Sequence, residues 1–343
     1  MVSNFEDEVY LRKLKLKENI KKSAGKCTKM LLILSMSTYI FGMIITFILR
    51  FRAKKLGIES DLDAGIILGV SNDAYTFLMG YLPCILGDIL AIFIGLKSTK
   101  LKIKRDLLTQ NESSKSFMLL GCFSSIAVGF ISSIVYLIYS TIIEANGITI
   151  PSPDFSLPTE AKYITLFILY TCVIAPICEE IIFRGIILSS MKKYGNLTAI
   201  MVSSILFSMF HFNLVQFINP VLMGIMFGFI ALKSKSIKPC IVVHMFNNSL
   251  IMVTMLISKS NMPLLESLFN MLYFFGGLIG FIVFVYKYKN EFFNIIREKS
   301  ILIKTHKKIA YSFSGFWSIA YIIFYVIVVI GTMVLTNILN ITN

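Results

Sequence analysis

Nine apolar runs, at roughly residues 30–49, 75–96, 117–143, 163–188, 198–213, 218–232, 239–258, 268–286 and 313–339, dictate what this chain can become. Runs of about 20 residues cross the ~30 Å hydrocarbon core of a bilayer as helices. Lipid offers no partner to an unpaired N–H or C=O, so helix is the form each run must take. The expectation is an all-α polytopic membrane bundle of about eight or nine transmembrane helices, with 198–213 and 218–232 the shortest members. The residue content agrees: 15% of residues are charged, against about a quarter in soluble domains.

The formal net charge of +14 is carried mainly by lysines between the apolar runs. There they set topology and meet anionic lipid head groups, so lipid and not nucleic acid is the expected partner of the basic segments. Residues 1–29 hold Arg12, Lys13, Lys15, Lys17, Lys21, Lys22, Lys26 and Lys29, which places this end in the cytoplasm. Alternation then puts Lys97 to Arg105, Lys192 and Lys193, Lys233 to Lys238, and Lys287 to Lys308 inside as well. The outside connections at 144–162, 214–217 and 259–267 carry only Lys162 and Lys259. Arg52, Lys54 and Lys55 run against the pattern, as if their segment lay flat on the membrane or the first two spans were not ordinary crossings. The polar stretch ahead of the first run makes a removable signal peptide unexpected. Six cysteines without a CxxC pair read as small apolar residues.

Pro151, Pro153 and Pro158 make 147–160 a stiff connector. The expected organisation is a basic cytoplasmic segment over 1–29, a three-helix membrane part over 30–150, a core over 160–258, and C-terminal helices with a basic cytoplasmic loop over 259–343. No internal repeat is evident. Gly224 with Gly228, and Gly276 with Gly280, have the spacing that lets helices approach closely in lipid.

Within the fourth run lies PICEEIIFRG, residues 176–185, where charge is costly unless compensated. Glu180 and Arg184 are four apart and share a helix face, so they can pair; Glu179 is turned about 100° away and is left available. Two of the three histidines also fall in apolar runs. His211 follows Phe207 by one turn in FSMFH, and His244 precedes Asn248 by one turn in HMFNN. Measured along their helices, all four groups reach a similar depth near the middle of the membrane. A carboxylate there can activate water for attack on a carbonyl, with a histidine sharing the proton and a histidine with an amide stabilising an oxyanion. Alternatively Glu179, His211 and His244 can bind a metal such as zinc that activates the water. HExxH is absent, and Ser208 one turn from His211 is weak evidence for a nucleophilic dyad.

EEIIFR as EExxxR, FSMFH as FxxxH and HMFNN as HxxxN, in this order on successive apolar segments, resemble the CAAX prenyl endopeptidase and bacteriocin-processing (CPBP, or Abi) family of intramembrane proteases, over about 163–255. The resemblance implies a helical membrane fold with a site open to the cytoplasmic side. It makes Glu179 the general base, His211 its partner, His244 and Asn248 the oxyanion stabilisers, and Glu180 and Arg184 the supporting pair. It implies an intramembrane endopeptidase acting on a short peptide or membrane protein, with no cofactor required; zinc is the alternative. The family also contains non-catalytic members linked to bacteriocin self-immunity and scaffolding, which is the competing function. A proton-coupled carrier, suggested by Asp88 in the second run, lacks the paired broken helices such folds carry. The lysine, isoleucine and asparagine usage looks bacterial.

Overall fold

A computed structural model describes residues 2–58, 65–109, 113–153, 156–297 and 302–342. It is a multi-pass helical bundle. Among the described residues, seven helices are long and apolar enough to span a membrane, and two more are apolar but shorter. In chain order they are α1 (Val2–Leu56), α2 (Asn72–Thr99), α3 (Lys115–Glu144), α4 (Ala161–Tyr194), α5 (Asn196–Met209), α6 (Ile218–Ser234), α7 (Lys238–Ser258), α8 (Pro263–Ile296), the short α9 (Thr305–Ser312), and α10 (Phe316–Thr342). A two-residue ribbon, β1 (Ile66–Ile67) against β2 (Val70–Ser71), is the described exception to helix.

The helix ends follow from local chemistry. Ser114 caps α3 by accepting from the N–H of Phe117 at 3.1 Å. Pro239 and Pro263 sit in the first turns of α7 and α8, where no N–H is needed. Gly195, at φ +124°, turns the chain between α4 and α5 in a conformation that a side chain would disfavour.

α4 is the central helix: 44% of its most apolar window is buried, against 17% in α8 and α10, whose outer faces present Phe275, Ile282 and Ile327 to lipid. Ile182, Phe183, Ile186 and Ile187 of α4 pack into one core with Ile20 and Leu31 of α1 and Leu206 of α5. Glycines set the closest approaches. A Cβ on Gly224 of α6 would lie 2.7 Å from Ser204 Cβ and 2.8 Å from its Cα, and one on Gly280 of α8 would lie 2.3 Å from Phe123 Cβ. The partner of Gly280 in that contact is Gly277, whose added Cβ would meet Ile126 at 2.5 Å. Gly276, expected in that role, has only ordinary contacts from 3.6 Å.

Hydrogen bonds separate the two ends of the bundle. At one end the Ile237 N–H donates to Leu107 O (3.1 Å), Asn196 Nδ2 to Ile295 O (2.9 Å) and Lys308 Nζ to Tyr194 O (2.8 Å), and Lys233 pairs with Glu291. At the other end Asp73 Oδ2 accepts from the N–H groups of Thr159 and Glu160, each at 2.7 Å. There too Asn337 accepts from Thr149 N–H at 2.8 Å, and the Tyr139 hydroxyl donates to Leu214 O. The first end is the lysine-rich one.

The N-terminal helix corrects one expectation. α1 is continuous over 55 residues, about 80 Å at ~1.5 Å per residue, and outruns any bilayer core. Arg52, Lys54 and Lys55 ride its last turns beyond the core, where cations also suit the helix dipole. α2 returns antiparallel along it, with Lys26 Nζ against Ser98 O near one end (3.4 Å) and Thr46 against Met79 near the other (3.4 Å). Both helices are long and apolar enough to cross a membrane.

Candidate active site

The geometry of the site starts at Pro176. Lacking an N–H and crowding the preceding turn, this residue goes with a one-residue widening of α4 over Tyr170–Ile174. There the Ala175 N–H donates to Tyr170 O, five residues back, and Pro176 has no N–H to offer Thr171. The Thr171 carbonyl is thereby released from the helix ladder. Asn248 of α7 takes it, Nδ2 donating at 2.9 Å. A second widening over Ile181–Leu188 follows the acidic pair, and there Ser203 of α5 donates to Phe183 O at 2.8 Å. Side chains of neighbouring helices thus occupy carbonyls in the widened stretches and fix α4 on either side of Glu179 and Glu180.

Glu180 and Arg184 are fully buried and joined by Arg184 Nη1 donating to Glu180 Oε1 at 2.9 Å, as the four-residue spacing predicts. The same oxygen accepts from His244 Nδ1 at 2.9 Å. Such a carboxylate fixes the histidine tautomer: Nδ1 carries the proton, and Nε2 points the other way. His244 Nε2 lies 3.7 Å from Glu179 Oε2, so the imidazole bridges the two adjacent glutamates. The Arg184 guanidinium is held between aromatic faces, 4.4 Å from the Phe207 ring centroid and 5.0 Å from that of Phe227. His244 contacts the same two rings.

His211 does not lie within a helix as the FSMFH spacing suggests. α5 stops at Met209; Phe212 has φ +51°, and Asn213 closes the turn by donating to His211 O (2.8 Å) and accepting from Gln216 N–H (2.7 Å). Asx-type bonds of this kind compete with the helix ladder, which is why the run breaks here. His211 Nδ1 donates to Phe207 O at 2.9 Å, leaving Nε2 turned from the backbone. Ser208 is not paired with this ring; its hydroxyl donates to Phe217 O at 2.6 Å.

Glu179, His211, His244 and Asn248 line one cavity of about 390 Å³. Glu180 and Arg184 lie beneath it. Further polar liners, among them Gln216, Asn219, Asn247 and Tyr170, were not evident from the motifs. Gln216 and Asn219 belong to a cluster of amides, with Asn213, that interrupts an apolar stretch, and this was the available signal. Asn247 sits beside Asn248, donating to it at 3.3 Å, and spacing alone selected only one of the two. Asp88 of α2 is buried, 2% exposed, and lies outside the cavity lining. Among the described residues no three His, Cys, Asp or Glu side chains gather as a metal ion requires. Glu179, His211 and His244 share a chamber without forming such a ligand set.

The cavity leads from the two glutamates towards one end of the bundle. From Glu179 and His244 its walls run along Phe167, Met252 and Met255 to the loop holding Gln216, the end opposite the lysines. Towards the lysine-rich end it is closed by Glu180, Arg184, Phe207 and Phe227, each no more than 3% exposed.

Comparison with known proteins finds a similarity over this part of the chain. Residues 161–250 match the family model for type II CAAX prenyl endopeptidases, Rce1-like. The matched segment coincides with the helices that carry all three motifs, and the family it resembles is one of prenyl endopeptidases. A Bacillus subtilis (strain 168) protein named "Putative membrane peptidase YdiL" is 31% identical over 94 residues, covering 27% of this chain and 38% of the relative. An uncharacterized protein of Mycoplasma capricolum subsp. capricolum is 28% identical over 210 residues, covering 57% of this chain and 60% of the relative. The chain thus spans less than two thirds of the length of either relative. No solved structure matches.

Proposed function

We propose that this protein is an intramembrane endopeptidase in which Glu179 activates water. One observation carries the reading: Glu179 faces the cavity across from His244 Nε2, while Glu180 anchors the far side of the same imidazole. A carboxylate beside a histidine whose orientation is fixed by a second, arginine-neutralised carboxylate is an arrangement for proton transfer. The Glu179 carboxylate takes a proton from water as the water oxygen bonds to the peptide carbonyl carbon and the carbonyl π electrons pass to oxygen. His244 in its doubly protonated form, with Nδ1–H kept on Glu180 and Nε2–H facing the cavity, and the amide at Asn248 or Asn247 donate to that oxygen. Collapse breaks the C–N bond, and the proton held on Glu179 goes to the departing nitrogen. His211 Nε2 orients the water. Glu180 and Arg184 act through His244, and the catalytic unit is the 160–258 core.

Purified protein with a quenched peptide library tests this. Glu179→Gln and His211→Ala are expected to lower cleavage by ~10²–10⁴-fold, and cleavage by the parent is expected to persist after exhaustive chelation. Equal cleavage by parent and variants would overturn the reading, and would favour a non-catalytic role in self-immunity or scaffolding. Loss on chelation with recovery on zinc would overturn the metal-free form.

A further inference from the structure

We infer that the cavity opens on the extracytoplasmic side of the membrane and accepts an extended, uncharged and largely apolar peptide segment presented from that side. This rests on the peptidase reading for its substrate, but not for its orientation.

The orientation follows from two observations at opposite ends of the same helices. The cavity floor is closed by the Glu180–Arg184 pair between Phe207 and Phe227, and all four lie on the lysine-rich side of Glu179. Its walls lead the other way, to the connection between α5 and α6, whose residues 210–217 carry no lysine, arginine or acid. The flanking connections at that end hold Glu144, Glu160 and Glu266 against Lys162 and Lys259. Lysine and arginine are retained in short loops on the cytoplasmic side, so the closed floor faces the cytoplasm and the mouth faces away. Arg50, Arg52, Lys54 and Lys55 are the exception, and they sit in the last two turns of a 55-residue helix longer than a bilayer core.

The lining defines what enters. It contains no lysine or arginine, so nothing in it neutralises an acidic side chain or a chain-terminal carboxylate. Its walls combine aromatic and thioether surface, from Tyr81, Phe167, Met223 and Met255, with amides. Asn219 Oδ1 is buried in this wall without a hydrogen-bond donor among the described residues. An unpaired buried acceptor is costly, and a backbone N–H of an extended peptide is the group that satisfies it. Flexible methionines suit varied apolar side chains.

Two arms test the inference on the full chain in membranes. Ser260→Cys, beside the mouth, and Ser314→Cys, at the lysine-rich end, are each treated with a membrane-impermeant maleimide on intact cells in a Cys84→Ser background, Cys84 being the one native cysteine that is not buried. Ser260→Cys is expected to label on intact cells and Ser314→Cys only after permeabilisation; the reverse pattern would overturn the orientation. In the second arm, an impermeant quenched library of uncharged peptides is offered to right-side-out and inverted vesicles. Cleavage at least tenfold faster by right-side-out vesicles is expected, and preference for inverted vesicles, or for acidic peptides, would overturn the substrate assignment. If Glu179→Gln cleaves normally, or nothing is cut even in detergent, the peptidase reading and the substrate assignment fall together, while the labelling still decides the orientation.

Discussion

Glu180 Oε1 accepts from both Arg184 and His244, and the arginine has Nε and Nη2 without hydrogen-bond partners among the described residues. Its positive charge is offset by Glu180 and by the two aromatic faces. Replacing one partner of a buried pair leaves an uncompensated charge, worth about 3–5 kcal/mol. Glu180→Gln should therefore lower the thermal midpoint in detergent by several degrees as well as activity; an unchanged midpoint would contradict the supporting role. Arg184→Lys keeps the charge but loses the planar group that fits between Phe207 and Phe227, so it should also destabilise, by about 1–2 kcal/mol. The pairing was legible from the sequence because a four-residue spacing on a helix fixes which side chains meet. That His244 would join the pair was not, because it depends on how α7 packs against α4 and no local pattern encodes that.

The elements show why some signals carried and others did not. The presence and order of the apolar helices were readable, since lipid forces each apolar run into helix. The early stop of α5 depends on Asn213 and on a positive φ at Phe212, and in an apolar run such turn chemistry is masked by hydrophobicity. The widening before Pro176 was equally hidden, although the proline that accompanies it stood in the motif. Pro176→Ala restores an N–H and a regular turn, so Thr171 O is drawn back into the ladder and Asn248 loses its anchor. The fold should persist while kcat falls on the order of 10²-fold, the cost of misplacing a positioned group; unchanged kcat would separate the widening from function. Gly224→Ala should cost about 1–3 kcal/mol, because its Cβ meets Ser204 backbone and an overpacked contact must shift. Gly129→Ala, with nothing within 4 Å, provides the neutral control in the same melting measurement.

For the whole molecule, the charge pattern predicted a multi-pass bundle with its lysines at one end, and hydrogen bonds between connections define that end independently. The direction of the cavity was beyond reach, since it follows from which side of Glu179 is filled by Phe207, Phe227 and Arg184. The bundle as a whole assigns adjacent carboxylates to different tasks: Glu180 is enclosed on the closed side with Arg184 and His244, and Glu179 faces the open chamber. The most direct test compares purified Glu179→Gln and Glu180→Gln for peptide cleavage and thermal midpoint side by side. The account predicts a Glu179→Gln protein that melts as the parent does and cleaves nothing, and a Glu180→Gln protein impaired in both. A Glu179→Gln protein that cleaves, or a loss of stability confined to Glu179→Gln, would contradict it.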